Sequence, residues 1–189
     1  MKIRRVIEIG CGDVAGPYWT STEEHVIVDI DPTQVFSVEN SGKGFRQFQA
    51  DARKMPMFPD NSADIILARN VFGDEHLGDD YVDPSATTLL NPMNVPDDQY
   101  SVFAREKVDR KMAILHEGGR ILNNGGQFIV FESTTPDVAE QFLSAAQPKS
   151  YAPLLEFESV DPQVIVPDEY YAANGRPGAR TWVSYKQES

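Results

Sequence analysis

Cysteine is almost absent from this chain: Cys11 is the one thiol among 189 residues. A lone cysteine excludes an internal disulfide framework and suits a reducing compartment, so the cytoplasm is the expected location. Long hydrophobic runs are lacking as well. None approaches the roughly 20 residues of a membrane span. Residues 1–9 alternate charge with apolarity, where a signal peptide would carry an apolar core. No membrane association is expected. Positive charge is scarce: 17 Lys and Arg stand against 29 Asp and Glu, a formal charge of −12. That balance repels phosphate backbones, so bare nucleic acid is not an expected partner. Internal repeats and low-complexity segments are missing too. What is present, 41% hydrophobic and 24% charged residues, describes a globular chain. The length favours a single domain over residues 1–189 with a core of useful size.

The apolar pattern alternates between strand and helix. Residues 3–9 read as a first strand, nearly continuous in apolar residues as a parallel strand buried on both faces should be. Residues 16–24 contain Gly16 and Pro17, which predicts a stunted or irregular crossover. Residues 26–30, 45–50 and 63–68 read as the second, third and fourth strands. Residues 73–100 break the rhythm with Gly73, Gly78, Pro84, Pro92 and Pro96 and a cluster of acids, an insertion longer than an ordinary loop. Residues 101–122 carry Val108, Met112 and Leu115 at helical spacing, with Arg105, Lys107, Asp109 and Lys111 on other faces and Gly118-Gly119 as an early stop or kink. A turn at Asn124-Gly125-Gly126 precedes a fifth strand at 127–132. Pro136 opens a helix over 136–146. Residues 154–160 and 180–186 read as two closing strands. Strand and helix alternate over 1–132, which predicts an α/β fold: a doubly wound, mainly parallel, Rossmann-like sheet.

In such a sheet ligands bind at the carboxyl ends of the strands, beside the point where strand order reverses. Gly10, Asp29, Asp51 and Arg69 all follow predicted strands, so one cleft collects them. The run Val6-Ile-Glu-Ile-Gly-Cys-Gly-Asp-Val-Ala-Gly16 ends a strand in a glycine turn, where the backbone can approach a ligand without an intervening Cβ. The run His25-Val-Ile-Val-Asp-Ile-Asp-Pro32 ends a second strand in Asp29, placed to accept from two ribose hydroxyls. A ligand built on adenosine follows. Glu8 sits inside the first strand, where a carboxylate needs donors: an ammonium group or the N–H groups of the glycine loop.

The order Glu8-Ile-Gly-Cys-Gly12, Val28-Asp-Ile-Asp31, Ala50-Asp-Ala52 with Met55-Pro-Met-Phe-Pro-Asp60, then Arg120-Ile-Leu-Asn-Asn-Gly-Gly-Gln-Phe-Ile-Val130, resembles class I S-adenosylmethionine-dependent methyltransferases of the small, type 11-like kind. The resemblance covers about residues 3–132. It implies S-adenosylmethionine as cofactor, with Gly10 and Gly12 beside its methionine part and Asp29 on the ribose, next to Ile30. It implies Asp51 on the adenine amine, with the Ala52 backbone near the ring. Arg69 would lie beside the methionine part and the substrate. Val14 stands where the family often has a third glycine and Asn124 where proline is usual, and the family's N-terminal cap helices are not expected. That leaves a cleft for a partner or a second copy to cover. The amino-group DNA methylation motif is absent.

Catalytic residues are not identified by this pattern. Glu75 and His76 are base candidates by position alone, and the acids around them read as a solvated loop without metal. Cys11 reads as a small loop residue, His25 and His116 as surface residues, and Phe72 as either pocket or core. The leading expectation is a methyltransferase acting on a small molecule or a protein. A non-catalytic methyltransferase-like binding or assembly module is the alternative. A nicotinamide-dependent oxidoreductase ranks last, because Tyr100 has no lysine four residues on.

Overall fold

The computed structural model describes residues 4–11, 23–41, 45–72, 97–133, 136–146, 157–160 and 180–186. In chain order these form β1 (Arg4–Ile9), β2 (Glu23–Asp29), α1 (Pro32–Val35), α2 (Val38–Ser41), β3 (Arg46–Gln49), β4 (Ala63–Arg69), α3 (Asp97–Ile121), β5 (Leu122–Glu132), α4 (Pro136–Ala146), β6 (Glu158–Val160) and β7 (Arg180–Tyr185). The strands build one seven-stranded sheet in the order β3-β2-β1-β4-β5-β7-β6. β1 through β5 are mutually parallel, and β7 runs antiparallel between β5 and β6. Order reverses between β1 and β4, which opens the crevice at their carboxyl ends.

Register sorts the side chains onto two faces. Ile7 and Ile9 align with Val26 and Val28 on one side and with Ile66 and Ala68 on the other. These residues join Phe128 and Val130, Ile114 and Leu115 of α3, and Ala139, Phe142 and Leu143 of α4 in the main core. Phe72, expected as either pocket or core, is core: it is fully buried and stacks on Phe142 at 5.5 Å. The other face carries Val6, Glu8, His25, Ile27, Leu67 and Arg69 by the same register. There Cys11, Ile27 and Val35 form a smaller cluster with Phe45 packed against it.

Four expectations change. Between β2 and β3 the chain makes two short helices, which the pattern did not announce; Asp31 caps the first by accepting from Thr33 N and Oγ1. The α3 helix begins at Asp97, so the last residues of the expected insertion are helical. It also runs through Gly118 and Gly119 to Ile121. Residues 123–126 are not a turn before β5 but an irregular part of it. The pairing with β4 slips between Ala63 and Ile65, and Gly125 sits at φ +74°. Bonds from Gly125 N to Lys186 O (2.8 Å) and from Lys186 N to Gly126 O (3.0 Å) hold that stretch in the sheet. Residues 16–22, 73–96 and 154–156, with their expected crossover, insertion and strand start, lie outside the described residues.

Candidate functional site

The glycine turn grows directly out of β1. Gly10 adopts φ +65°, a left-handed conformation that side chains disfavour. A Cβ there would lie 2.4 Å from Val71 Cγ2, so the turn is also pressed against the segment after β4. Gly10 N donates to Val28 O at 3.0 Å, tying the turn to β2.

Asp29 ends β2 in an Asx-type turn: its Oδ1 accepts from Asp31 N at 3.0 Å, which fixes the carboxylate at the strand end. Its main-chain oxygen accepts from Ala50 N at 2.9 Å, drawing the ends of β2 and β3 together. Ile30 follows with 53% of its surface exposed, an apolar side chain at the rim of the cleft. Asp51 lies two residues beyond β3, half-buried, and is engaged by Arg53. The guanidinium donates through Nε to Oδ1 at 2.9 Å and through Nη2 to Oδ2 at 2.5 Å, and Arg53 N adds a bond of 2.9 Å. Burial alone would raise the Asp51 pKa, but the Arg53 bonds and charge, with Arg110 nearby, outweigh it and hold the carboxyl below its usual range. Ala52 packs against the main core.

The expected ligand residues on β1 and β4 meet each other. Glu8 is fully buried, and its carboxylate holds His25 Nε2 at 3.1 Å and Arg69 Nε at 3.2 Å. Arg69 Nη2 donates to the Cys11 carbonyl oxygen. Cys11 Sγ in turn lies 4.0 Å from Asp29 Oδ2. Burial, with the charges of Asp29 and Glu8, pushes the Cys11 thiol up to about 12, so it stays protonated and non-nucleophilic. Beyond Arg69, Asn70 Oδ1 accepts from Ser133 N, Phe72 N donates to Glu132 Oε1, and Lys111 Nζ donates to Phe72 O. The segment after β4 is therefore fastened to β1 on one side and to β5 and α3 on the other.

Two placements correct the sequence reading. His25 is not at the surface: it is buried against Glu8, because β2 pairs with β1 in a register that puts both on one face. Lys111 is not on an outer face of α3 but buried, its ammonium bound to Phe72 O and 5.7 Å from the Phe142 ring. Both are polar residues at apolar positions, and neither carried a local signal for its partner. His116 is exposed, as expected. Gly12, Val14, Glu75 and His76 lie outside the described residues, and among the described residues no cluster could hold a metal ion. A polar hollow of about 300 Å³, lined by Arg4, Asp64, Asn123 and Gln127, opens at the opposite, amino end of β1 and β4.

A doubly wound sheet in this order, with a glycine turn after β1 and an acid ending β2, is the class I methyltransferase fold. Residues 7–83 match the methyltransferase domain family. Among solved structures the chain resembles the YcgJ protein of Bacillus subtilis at 17% identity, over 100% of this chain and 94% of that one, with a TM-score of 0.57. It resembles the 16S rRNA methyltransferase RsmC of Thermus thermophilus, solved with AdoMet and guanosine, at 11% identity over 98% of this chain and 36% of that one (TM-score 0.58). A chain of the complex between the Haloferax volcanii Trm112 methyltransferase activator and a methyltransferase matches at 14% identity, over 99% of this chain and 84% of that one (TM-score 0.56). No curated protein matches the chain in sequence. The chain thus has the class I methyltransferase fold, and the match to the methyltransferase domain family spans residues 7–83 of its 189. Among the described residues, no helix is long and apolar enough to cross a membrane.

Proposed function

We propose that this chain binds S-adenosylmethionine at the carboxyl ends of β1, β2 and β3 and transfers its methyl group to a small molecule or a protein. The observation that carries the reading is the pre-set Asp29 carboxylate beside the exposed Ile30, with the Gly10 turn at the sheet's switch point. The donor chemistry fits this cofactor. Asp29 accepts from the ribose hydroxyls, and Ile30 with the Ala52 backbone offers a surface for the adenine ring. Asp51, kept ionised by Arg53, accepts from the adenine amine with capacity Arg53 does not take. Gly10 faces the methionine part, and the glycine pattern assigns Gly12 to the same half. Glu8 acts from beneath, through Arg69.

The cofactor supplies a methyl group already attached to a good leaving group. The chain's own task is then alignment of the acceptor. Where that acceptor must shed a proton, Glu75 or His76 serves as base. A protein partner belongs to this reading. It is supported by the Haloferax volcanii relative, which was solved as a complex with an activator.

The test is isothermal titration with S-adenosylhomocysteine and with NAD. Binding of the first in clear preference to the second is expected. Asp29→Ala should weaken it by about 10- to 100-fold, the worth of about 1.5–3 kcal/mol for bonds to a charged group. Preference for NAD, or an affinity indifferent to Asp29→Ala, would overturn the assignment.

A further inference from the structure

The acids of the cofactor reading lie at the rim; a second set of polar side chains lies beneath them. Glu8 is 0% exposed and His25 is 6% exposed, both in the middle of the sheet. Burying a carboxylate with polar partners gains little stability over an apolar trio of the same shape. What the trio does supply is geometry. Arg69 uses its fork in two directions: Nε to Glu8 Oε1 at 3.2 Å, and Nη2 to the main-chain oxygen of Cys11 in the glycine turn. His25 holds the other carboxylate oxygen, Oε2, at 3.1 Å. The same turn is pressed by Val71, two residues past Arg69, closely enough that no Cβ fits at Gly10. One chain of contacts therefore runs from β2 through β1 to β4 and back up to the turn.

We propose that Arg69 is a positioning residue for the amino-acid half of the cofactor. With Glu8 and His25 behind it, it sets the Cys11 carbonyl and the glycine turn in the shape that half meets. The inference rests on the cofactor reading above, which gives the nucleoside half to Asp29, Ile30 and Asp51 on other strands. The two halves of the ligand are thus held by separable parts of the fold. A lysine at position 69 keeps the positive charge beside Glu8 but has no planar fork to reach the Cys11 carbonyl at the same time.

The experiment compares two ligands on one variant. S-adenosylhomocysteine carries the amino acid; 5′-methylthioadenosine has the same nucleoside and sulfur without it. In Arg69→Lys, affinity for S-adenosylhomocysteine should fall by about tenfold, the value of one lost charge-assisted bond, while that for 5′-methylthioadenosine stays within about twofold. A parallel loss for both ligands, or no loss for either, overturns the proposal, since a residue that only supports the scaffold moves both together. If Arg69→Lys does not fold, His25→Leu and His25→Gln replace it. The leucine should give the same selective loss, and the glutamine, which keeps an N–H toward Glu8, should restore the wild-type ratio; equal ratios in both overturn it. Should the unaltered protein bind neither ligand, the cofactor reading itself fails, a result distinct from a parallel loss in the variant.

Discussion

At the scale of single residues, Cys11 shows how position overrides chemistry. A thiol in a glycine turn at a strand end invites a reactive role, yet burial and the neighbouring Asp29 and Glu8 raise it from an ordinary 9.0 to about 12. The consequence is a pH dependence with a definite sign. Unfolding releases the thiol to its ordinary value of 9.0, so above that pH the unfolded state sheds a proton that the folded state keeps. Stability from this group is whole below pH 9.0 and is lost as pH climbs toward the folded value, by about 1.4 kcal/mol per unit. Urea unfolding at pH 8 and pH 10, for wild type and Cys11→Ala, reads this directly. The wild type should lose stability more steeply, and identical slopes would refute the burial argument. The paired acids behave oppositely. Glu117, engaged by Arg120 and bonded to Met55 N at 2.5 Å, has its pKa lowered, so its contribution fades only as the solution turns acidic.

At the scale of elements, the contact between α3 and β5 turns on Gly118. A glycine inside a helix costs about 1 kcal/mol against alanine. Here the space requires it: a Cβ would lie 2.3 Å from Phe128 Cε2 and 3.2 Å from two other ring atoms. Gly118→Ala should therefore gain helix propensity and lose more to overpacking, about 1–3 kcal/mol. With Phe128→Leu already in place the ring is gone, and Gly118→Ala should then stabilise. A double-mutant cycle in urea checks the reversal. A Gly118→Ala that stabilises the wild-type background would show that helix and strand have room to separate. The end of the same helix grips the loop after β3: Arg120 donates to Phe58 O at 3.0 Å, to Met55 O at 3.2 Å and to Asp60 at 2.5 Å. That loop begins with Asp51 and Ala52, so α3 helps to set the far wall of the proposed adenine site.

At the scale of the whole molecule, charge decides between acceptors. The formal charge is −12, and several cations are already committed: Lys111 is buried, and Arg5, Arg46, Arg53, Arg120 and Arg180 each pair with an acid. The Thermus thermophilus relative acts on rRNA, but this chain matches 36% of it. Transfer RNA and single-stranded DNA should bind this protein more weakly than the roughly 10⁻⁴–10⁻⁶ M of ordinary non-specific binders. Filter binding across a salt series measures it, and salt-sensitive micromolar affinity would move nucleic acid to the front. The sheet itself is assembled at this scale: β7 enters antiparallel between β5 and β6, an order that the two closing strands did not reveal one by one.

The sequence by itself determined the parallel strands in outline, the two longer helices, and the residues at the strands' carboxyl ends. Each of these is a local property: an apolar run, a glycine that must turn, an acid that must follow. Gly10, Asp29, Asp51 and Arg69 were legible for that reason. Only the tertiary structure decided what lies beside what. His25 and Glu8 are 17 residues apart and Lys111 and Phe72 are 39 apart, and nothing near either pair signals its partner. Burial of a polar side chain depends on the register of strands that meet only when the sheet closes. Arg53 on Asp51 is a short-range pair, yet its orientation follows from the loop that α3 holds in place. Periodicity is written along the chain, whereas adjacency is set by packing, and the charge network beneath the glycine turn exists only as adjacency.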